Sequence, residues 1–388
     1  MNYFIGICIT GFLATLSYFL SRYPVLPLYA ESLGLSSFQT GLVVSASSLT
    51  GVFFKLQMGT LSDVFGRRKM LILSLCFFAF TPFLYLVFKD ATSLFILRLM
   101  HVFATAIFAP VISAIISDIA TEKNRGQLLS SFSSASMSGE MIGPMICGWI
   151  LFIAGFYMPF FISGCVGIAA LLFFLIFVNK KDSEPPFQTE KKRFGFLNGL
   201  KKVFSNKAII LVSLVECGQF FTNGALECFL PIYAKNHVHL LSWQIGLLMG
   251  ISVFMTIFFK PFWGTLSDIF GRKLQISFGL VLGGISCMLI PTSHSFPIIL
   301  LFIALYGFAI AIVTSSTSPF ITDLVTKESY GSAHGTFGTI TDIGHASGAI
   351  LGGLLIAGSN YDLLFILFGG FLLAFGLIFR VLINSFRL

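Results

Sequence analysis

GTLSDVFGRRK occupies Gly59–Lys69, and GTLSDIFGRKL occupies Gly264–Leu274, 205 positions later. Both copies are short, basic and flanked by long apolar runs. At that single offset Gly59 pairs with Gly264, Asp63 with Asp268, Gly66 with Gly271 and Arg67 with Arg272. The offset extends outward to Lys55 and Lys260, Asp118 and Asp323, Gly126 and Gly331, Gly139 and Gly344, Gly143 and Gly348, and Gly148 and Gly353. LPLYA (Leu26–Ala30) matches LPIYA (Leu230–Ala234) at 204, so one residue separates the halves there. A loop that recurs with its landmarks implies that the half-chain is the repeated unit.

The solvent of the chain follows from its composition. Of 388 residues, 56% are hydrophobic and 10% charged, and mean hydropathy is +0.92. Soluble domains carry about 25% charged residues, and apolar runs of about 20 residues are what a spanning helix requires. The chain therefore reads as a polytopic membrane protein. Its 47 Phe are lipid-facing bulk, and its seven scattered Cys, with no C-x-x-C, are small apolar residues with no metal or disulfide role. The first 21 residues lack a basic n-region and read as a retained first helix.

Apolar stretches predict twelve helices, near 4–29, 39–62, 70–88, 92–117, 127–152 and 156–178, then 207–233, 243–263, 274–292, 296–322, 331–357 and 362–383. This gives six-helix bundles over 1–178 and 207–388, joined by a basic, proline-containing linker over 179–206. With both termini cytoplasmic, most of the 24 Lys and Arg fall on inner loops, as the positive-inside rule requires. The net charge of +8 is then a membrane face, and no nucleic-acid partner is implied. Six helices return the chain to its starting side, so the halves are expected as parallel repeats about an axis along the membrane normal, with a site between them.

These residues resemble the major facilitator superfamily, and within it the drug–proton antiporter branch. GTLSDVFGRRK is similar to the family's G-x-L-x-D-x-x-G-R-R-x loop, and GEMIGPMICGW from Gly139 to the helix 5 antiporter pattern G-x-x-x-G-P-x-x-G-G, with Trp149 at the last Gly. YPVLPLYA from Tyr23 resembles the end of helix 1, and RLMHV from Arg98 partly matches R-x-x-Q-G, with His101 and Val102 replacing Gln and Gly. The resemblance implies a cytoplasmic gate formed by Gly59, Asp63, Gly66, Arg67, Arg68, Asp118, Gly264, Asp268, Gly271, Arg272 and Asp323. In it Asp63 would face the start of helix 11, Arg67 and Arg68 would reach Asp118, and the second copy would repeat the scheme with helix 5. It also implies that helices 1, 4, 7 and 10 line a cavity, and that Gly139, Gly143, Pro144 and Gly148 shape two conformations.

Ionisable residues inside a membrane are costly and mark functional sites by default. Arg22, Arg98 and Glu227 are expected about 9–11 Å below the outer surface, at 1.5 Å per residue. With His101 and His345 they are the candidates for the substrate cavity. For proton coupling the order is Glu140, Asp342, Glu216 and Glu227, with His101 titrating near neutral pH. The alternative for each acid is a hydrogen-bonded carboxylate that tightens packing. The serines of helix 5 and the Thr, His and Ser of helix 11 suggest a wet cavity, whereas Lys55 and Lys260 are expected to snorkel to the inner interface.

No G-x-x-x-x-G-K-[S/T], H-E-x-x-H or G-x-S-x-G occurs, which argues against ATP hydrolysis and enzyme chemistry. The expected function is a monomeric, proton-driven antiporter in the cell membrane, working by alternating access. It would have no catalytic residue, metal or cofactor and would take its energy from the proton gradient. Its substrate would be a small, partly apolar organic solute, drug-like or an anionic metabolite such as a siderophore. A proton symporter is the nearest alternative; a membrane enzyme or a non-transporting receptor is remote.

Overall fold

A computed structural model describes residues 2–121, 124–178, 207–325, 330–358 and 360–385. The linker 179–206 and the side chains of Lys55, Gly59 and Asp63 lie outside the described residues. The first half contains α1 (Asn2–Leu20), α2 (Val25–Ser32), α3 (Ser37–Phe65), α4 (Arg67–Leu84), α5 (Ala91–Ile119), α6 (Arg125–Ala154) and α7 (Tyr157–Phe177). The second contains α8 (Lys207–Asn236), α9 (Ser242–Phe270), α10 (Arg272–Leu289), α11 (Phe296–Asp323), α12 (Tyr330–Gly358) and α13 (Tyr361–Ser385). Among the described residues no strand occurs, and ten spans are long and apolar enough to cross a membrane, α1 and α2 counting together as Tyr3–Ser32. With α3 and α4 this is an all-α membrane protein of twelve helices.

The described residues cluster into two compact units. One draws on Met1–Leu35, Leu42–Thr189 and Leu241–Gly250, the other on Ser36–Gly41, Glu190–Leu240 and Ile251–Leu388. In the first, α1 packs on α6 and α7, and α4 on α5 and α7. In the second, α8 packs on α12, and α10 on α11 and α13.

Equivalent contacts recur in the two units at the sequence offset. Ser17 Oγ donates to the Ser163 carbonyl at 2.8 Å, and Thr222 Oγ1 to the Phe368 carbonyl at 3.4 Å. A Cβ on Gly139 would stand 2.7 Å from the Phe12 carbonyl oxygen, and one on Gly344 would collide with that of Cys217. Close approach of backbones is what small residues permit between membrane helices. Volume is conserved as well: Gly167 lies against Phe78 in one unit, and Leu372 against Gly283 in the other.

Several expected helix limits move, among them the end of α9, expected near 263 and found at Phe270, and two have an evident cause. The first helix, expected unbroken over 4–29, is interrupted by a turn over 21–24. The first half has one residue more than the second here, and Pro24 lacks an N–H to continue the ladder; α8 runs through the equivalent stretch without a break. Helix α4 starts at Arg67 instead of near 70 because Gly66, at φ +90°, turns the chain into a new helix at once. Gly271, at φ +86°, does the same before Arg272. That conformation is open to glycine without a Cβ clash, which explains why both loops have glycine there.

Candidate functional site

In the first unit the polar site is built around Tyr18. Arg98 and His101 are three residues apart on α5, hence on one face, and both are fully buried. Arg98 Nη2 donates to the Tyr18 hydroxyl at 3.0 Å, and its guanidinium carbon stands 5.0 Å from the Tyr18 ring centroid. The Tyr85 hydroxyl is beside the guanidinium without the geometry of a hydrogen bond. Arg98 Nε and Nη1, and both ring nitrogens of His101, have no hydrogen-bond partner among the described residues. The His101 ring lies 5.0 Å from that of Tyr18, edge to face.

Arg22, in the turn between α1 and α2, lies over aromatic faces. Its guanidinium carbon is 5.5 Å from the Tyr18 centroid, 5.6 Å from Phe19 and 4.5 Å from Tyr23. Cation–π contact offsets part of its loss of hydration, whereas the fully buried Arg98, with two nitrogens lacking a protein partner, still calls for a counter-group. The cluster can therefore receive an anionic or hydrogen-bond-accepting group. It brings together Arg22, Arg98 and His101 as expected, and adds Tyr18.

In the second unit, Glu216, Gln219, Asn223 and Glu227 follow one another at steps of three and four along α8, so they share a face. Thr317 Oγ1 of α11 donates to Glu216, and Gln219 Nε2 lies 3.3 Å from the Tyr306 hydroxyl. Asn223 Nδ2 donates to Glu227 Oε1 at 2.8 Å. His345 Nε2 of α12 is 2.8 Å from Glu227 Oε2, with side-chain exposures of 7% and 23%. Lys260, expected to snorkel away, is close enough to act electrostatically on Glu216. Asp342 and Glu140 are part-buried, and neither is without a partner.

The loops form the expected ion pairs with one change. Arg67 pairs with Asp118, and Arg272 Nη1 with Asp323 at 2.8 Å. Arg68 does not join Asp118; it donates to the Val178 carbonyl and lies over the Phe174 ring. Asp268, with 68% of its side chain exposed, bonds Arg272 one turn away at 3.3 Å. Gly264 faces open space, so its small size answers no close neighbour in this structure.

The helix 5 glycines each receive a neighbour. Gly139 and Gly143 face α1, whereas Gly148 faces Ser242 and Gly246 at the start of α9. Of the helix 5 serines, Ser130, Ser134 and Ser138 donate to the Gln127, Ser130 and Ser134 carbonyls of their own helix, and the buried Ser136 Oγ has no hydrogen-bond partner among the described residues. Such back-bonding satisfies a hydroxyl locally.

The family model of the Major Facilitator Superfamily matches residues 7–252 and 217–385. The chain belongs to the Major Facilitator Superfamily. It is thus a multi-pass membrane transporter and not an enzyme. An uncharacterised transporter of this superfamily from Methanocaldococcus jannaschii is 26% identical over 337 residues, 86% of each chain. Multidrug resistance protein 1 of Bacillus subtilis is 25% identical, covering 86% of this chain and 84% of its own. A mutant of the nucleoside transporter NupG superposes with TM-score 0.83 at 18% identity, covering 99% of this chain and 100% of its own. A POT family transporter in complex with 5-aminolevulinic acid gives 0.84 at 16%, covering 99% and 96%. These two speak to the superfamily fold alone.

Tyr18 and Asn223 were not singled out from the sequence. For Asn223 the signal was present, in the Glu216–Gln219–Asn223–Glu227 spacing; Tyr18 carried none, since its role depends on which ring meets α5.

Proposed function

We propose that this chain is a proton-coupled exporter of small, partly apolar organic solutes, operating as a monomer in the cell membrane with both termini cytoplasmic. The observation that carries the reading is the Glu227–His345 pair, an acid and a base 2.8 Å apart on two helices long and apolar enough to cross a membrane. A pair of this kind can bind and release a proton, which solute–proton exchange by alternating access requires. The sequence order placed Glu140 and Asp342 first; the defined partner moves Glu227 and His345 ahead of them.

Support for export comes from relatives named as multidrug and quinolone resistance proteins, the latter from Staphylococcus aureus at 25% identity. The aromatic, basic setting of Tyr18, Arg22, Arg98 and His101 suits an amphipathic solute with a carboxylate, and a quinolone has one. The test is reconstitution into proteoliposomes with norfloxacin under an imposed pH gradient. Norfloxacin should move against the proton flow, and Glu227→Gln should keep exchange at equal pH while its gradient-driven accumulation falls below that of the wild type. Movement with the protons would make the protein a symporter, and binding without flux a receptor.

A further inference from the structure

The Glu227–His345 pair has equivalents in the other half. At the repeat offset, Glu227 corresponds to Arg22 and His345 to Glu140. The frame around these positions is shared. Gly344, one residue before His345, meets the Cys217 carbonyl; Gly139, one residue before Glu140, meets the equivalent Phe12 carbonyl. Asn223, one turn before Glu227, contacts it at 2.8 Å; Tyr18, one turn before Arg22, lies under its guanidinium at 5.5 Å. A Cβ on Gly143, one turn beyond Glu140, would stand 2.7 Å from Phe19 Cβ, so this stretch of α6 is laid against the end of α1 from which Arg22 extends. The extra residue of the first half is taken up in the turn over 21–24, and neither Arg22 nor Glu140 is without a partner.

We propose that Arg22 and Glu140 form the charge-inverted counterpart of Glu227–His345, and that each pair binds one exchanged proton, giving one proton site in each half. The stoichiometry rests on the exchange reading above; the pairing does not. At Glu140 the incoming proton bonds a carboxylate oxygen, the ion pair is lost and Arg22 keeps its charge, so the site goes from neutral to +1. At His345, Nε2–H stays on Glu227 and the proton bonds Nδ1, so the site goes from −1 to neutral. Each half thus gains one positive charge by opposite routes. The other charged and titratable groups around the first site are Tyr18, Tyr23, Arg98 and His101. Around the second they are Tyr306 and Cys228, on which Glu227 acts, and Asp342 one turn before His345.

Two experiments decide it. In proteoliposomes with the membrane potential clamped at zero, each exchanged proton contributes about a tenfold solute ratio per pH unit. Wild-type protein should hold norfloxacin at about 100-fold across a one-unit gradient, and Glu140→Gln or His345→Gln at about tenfold. Exchange at equal pH is measured beside each ratio, to separate loss of a proton site from loss of transport. An unchanged ratio in either variant, or complete loss of accumulation in one that still exchanges, overturns the two-site proposal. The pairing is tested without transport by a double-mutant cycle on the melting midpoint. Arg22→Met and Glu140→Met should each lower it by stranding a charge, and the double variant should recover most of the loss. Additive losses would overturn the pairing, whereas a wild type without accumulation would overturn only the exchange reading and the stoichiometry built on it.

Discussion

A Cβ placed on Gly148 would stand 2.6 Å from the Ser242 carbonyl oxygen, and one on Gly353 would stand 2.5 Å from that of Ser37. The two contacts are the same contact, 205 positions apart on both sides. Pro144 with Gly246 and Ala349 with Gly41 repeat the relation one turn away. Helix backbones are thus in near contact at matched places in each unit. Gly148→Val and Gly353→Val should each destabilise by about 1–3 kcal/mol through overpacking, read as a lower melting midpoint in detergent. Gly264→Val, which faces open space, should leave the midpoint unchanged.

Arg98 separates stability from function. Its guanidinium is buried with two nitrogens lacking a protein partner, an arrangement that an apolar side chain of similar size would relieve. Arg98→Met should therefore melt at or above the wild-type temperature. It should also lose the charge-assisted contact to a solute carboxylate, worth about 1.5–3 kcal/mol, and so weaken norfloxacin binding about tenfold or more. Binding of the norfloxacin methyl ester, which has no carboxylate, should change little. A variant that melts lower and binds both compounds equally well would show Arg98 to be structural.

The difference between what could and could not be read in the sequence follows from these residues. Duplication was legible because Gly66, Gly271 and the paired helix glycines are fixed by backbone geometry, which leaves a residue-specific mark at a constant spacing. The ion pairs Arg67–Asp118 and Arg272–Asp323 were expected from the family resemblance that the two loops carry. The break after Leu20 was not, because an extra residue in an apolar run does not alter its hydropathy. Nor was the Glu227–His345 contact, which depends on the rotation of α8 and α12 about their axes. Arg68 went to Val178 instead of Asp118 because a free backbone carbonyl at the end of α7 competes with a carboxylate already held by Arg67.

At the N-terminal end of α5, Asp90 accepts a hydrogen bond from the Ser93 backbone N–H at 2.9 Å, capping the helix. The bonds from Ser93 hold its carboxyl below the usual carboxylate value. A depressed acid contributes stability above its unfolded value, and that contribution is lost as pH falls through the folded value. Asp90→Ala should therefore lower the melting midpoint at neutral pH and converge with wild type in acid. Asp90→Asn, which keeps an accepting oxygen, should remain close to wild type and lose the pH dependence.

Arg272 should matter to transport far more than to stability. Its bonds to Asp268 and Asp323 involve carboxylates whose side chains are 68% and 55% exposed, and exposed pairs contribute about 0.2–1 kcal/mol. Arg272→Ala should accordingly shift the melting midpoint little. If the pair is remade and broken in each cycle, that same small energy biases one conformation against the other, and norfloxacin flux falls. Arg272→Asp would place a third acid among the two and should abolish flux, while Arg272→Asp with Asp323→Arg should restore part of it. Equal flux in all three variants would show that the loop only carries topogenic charge.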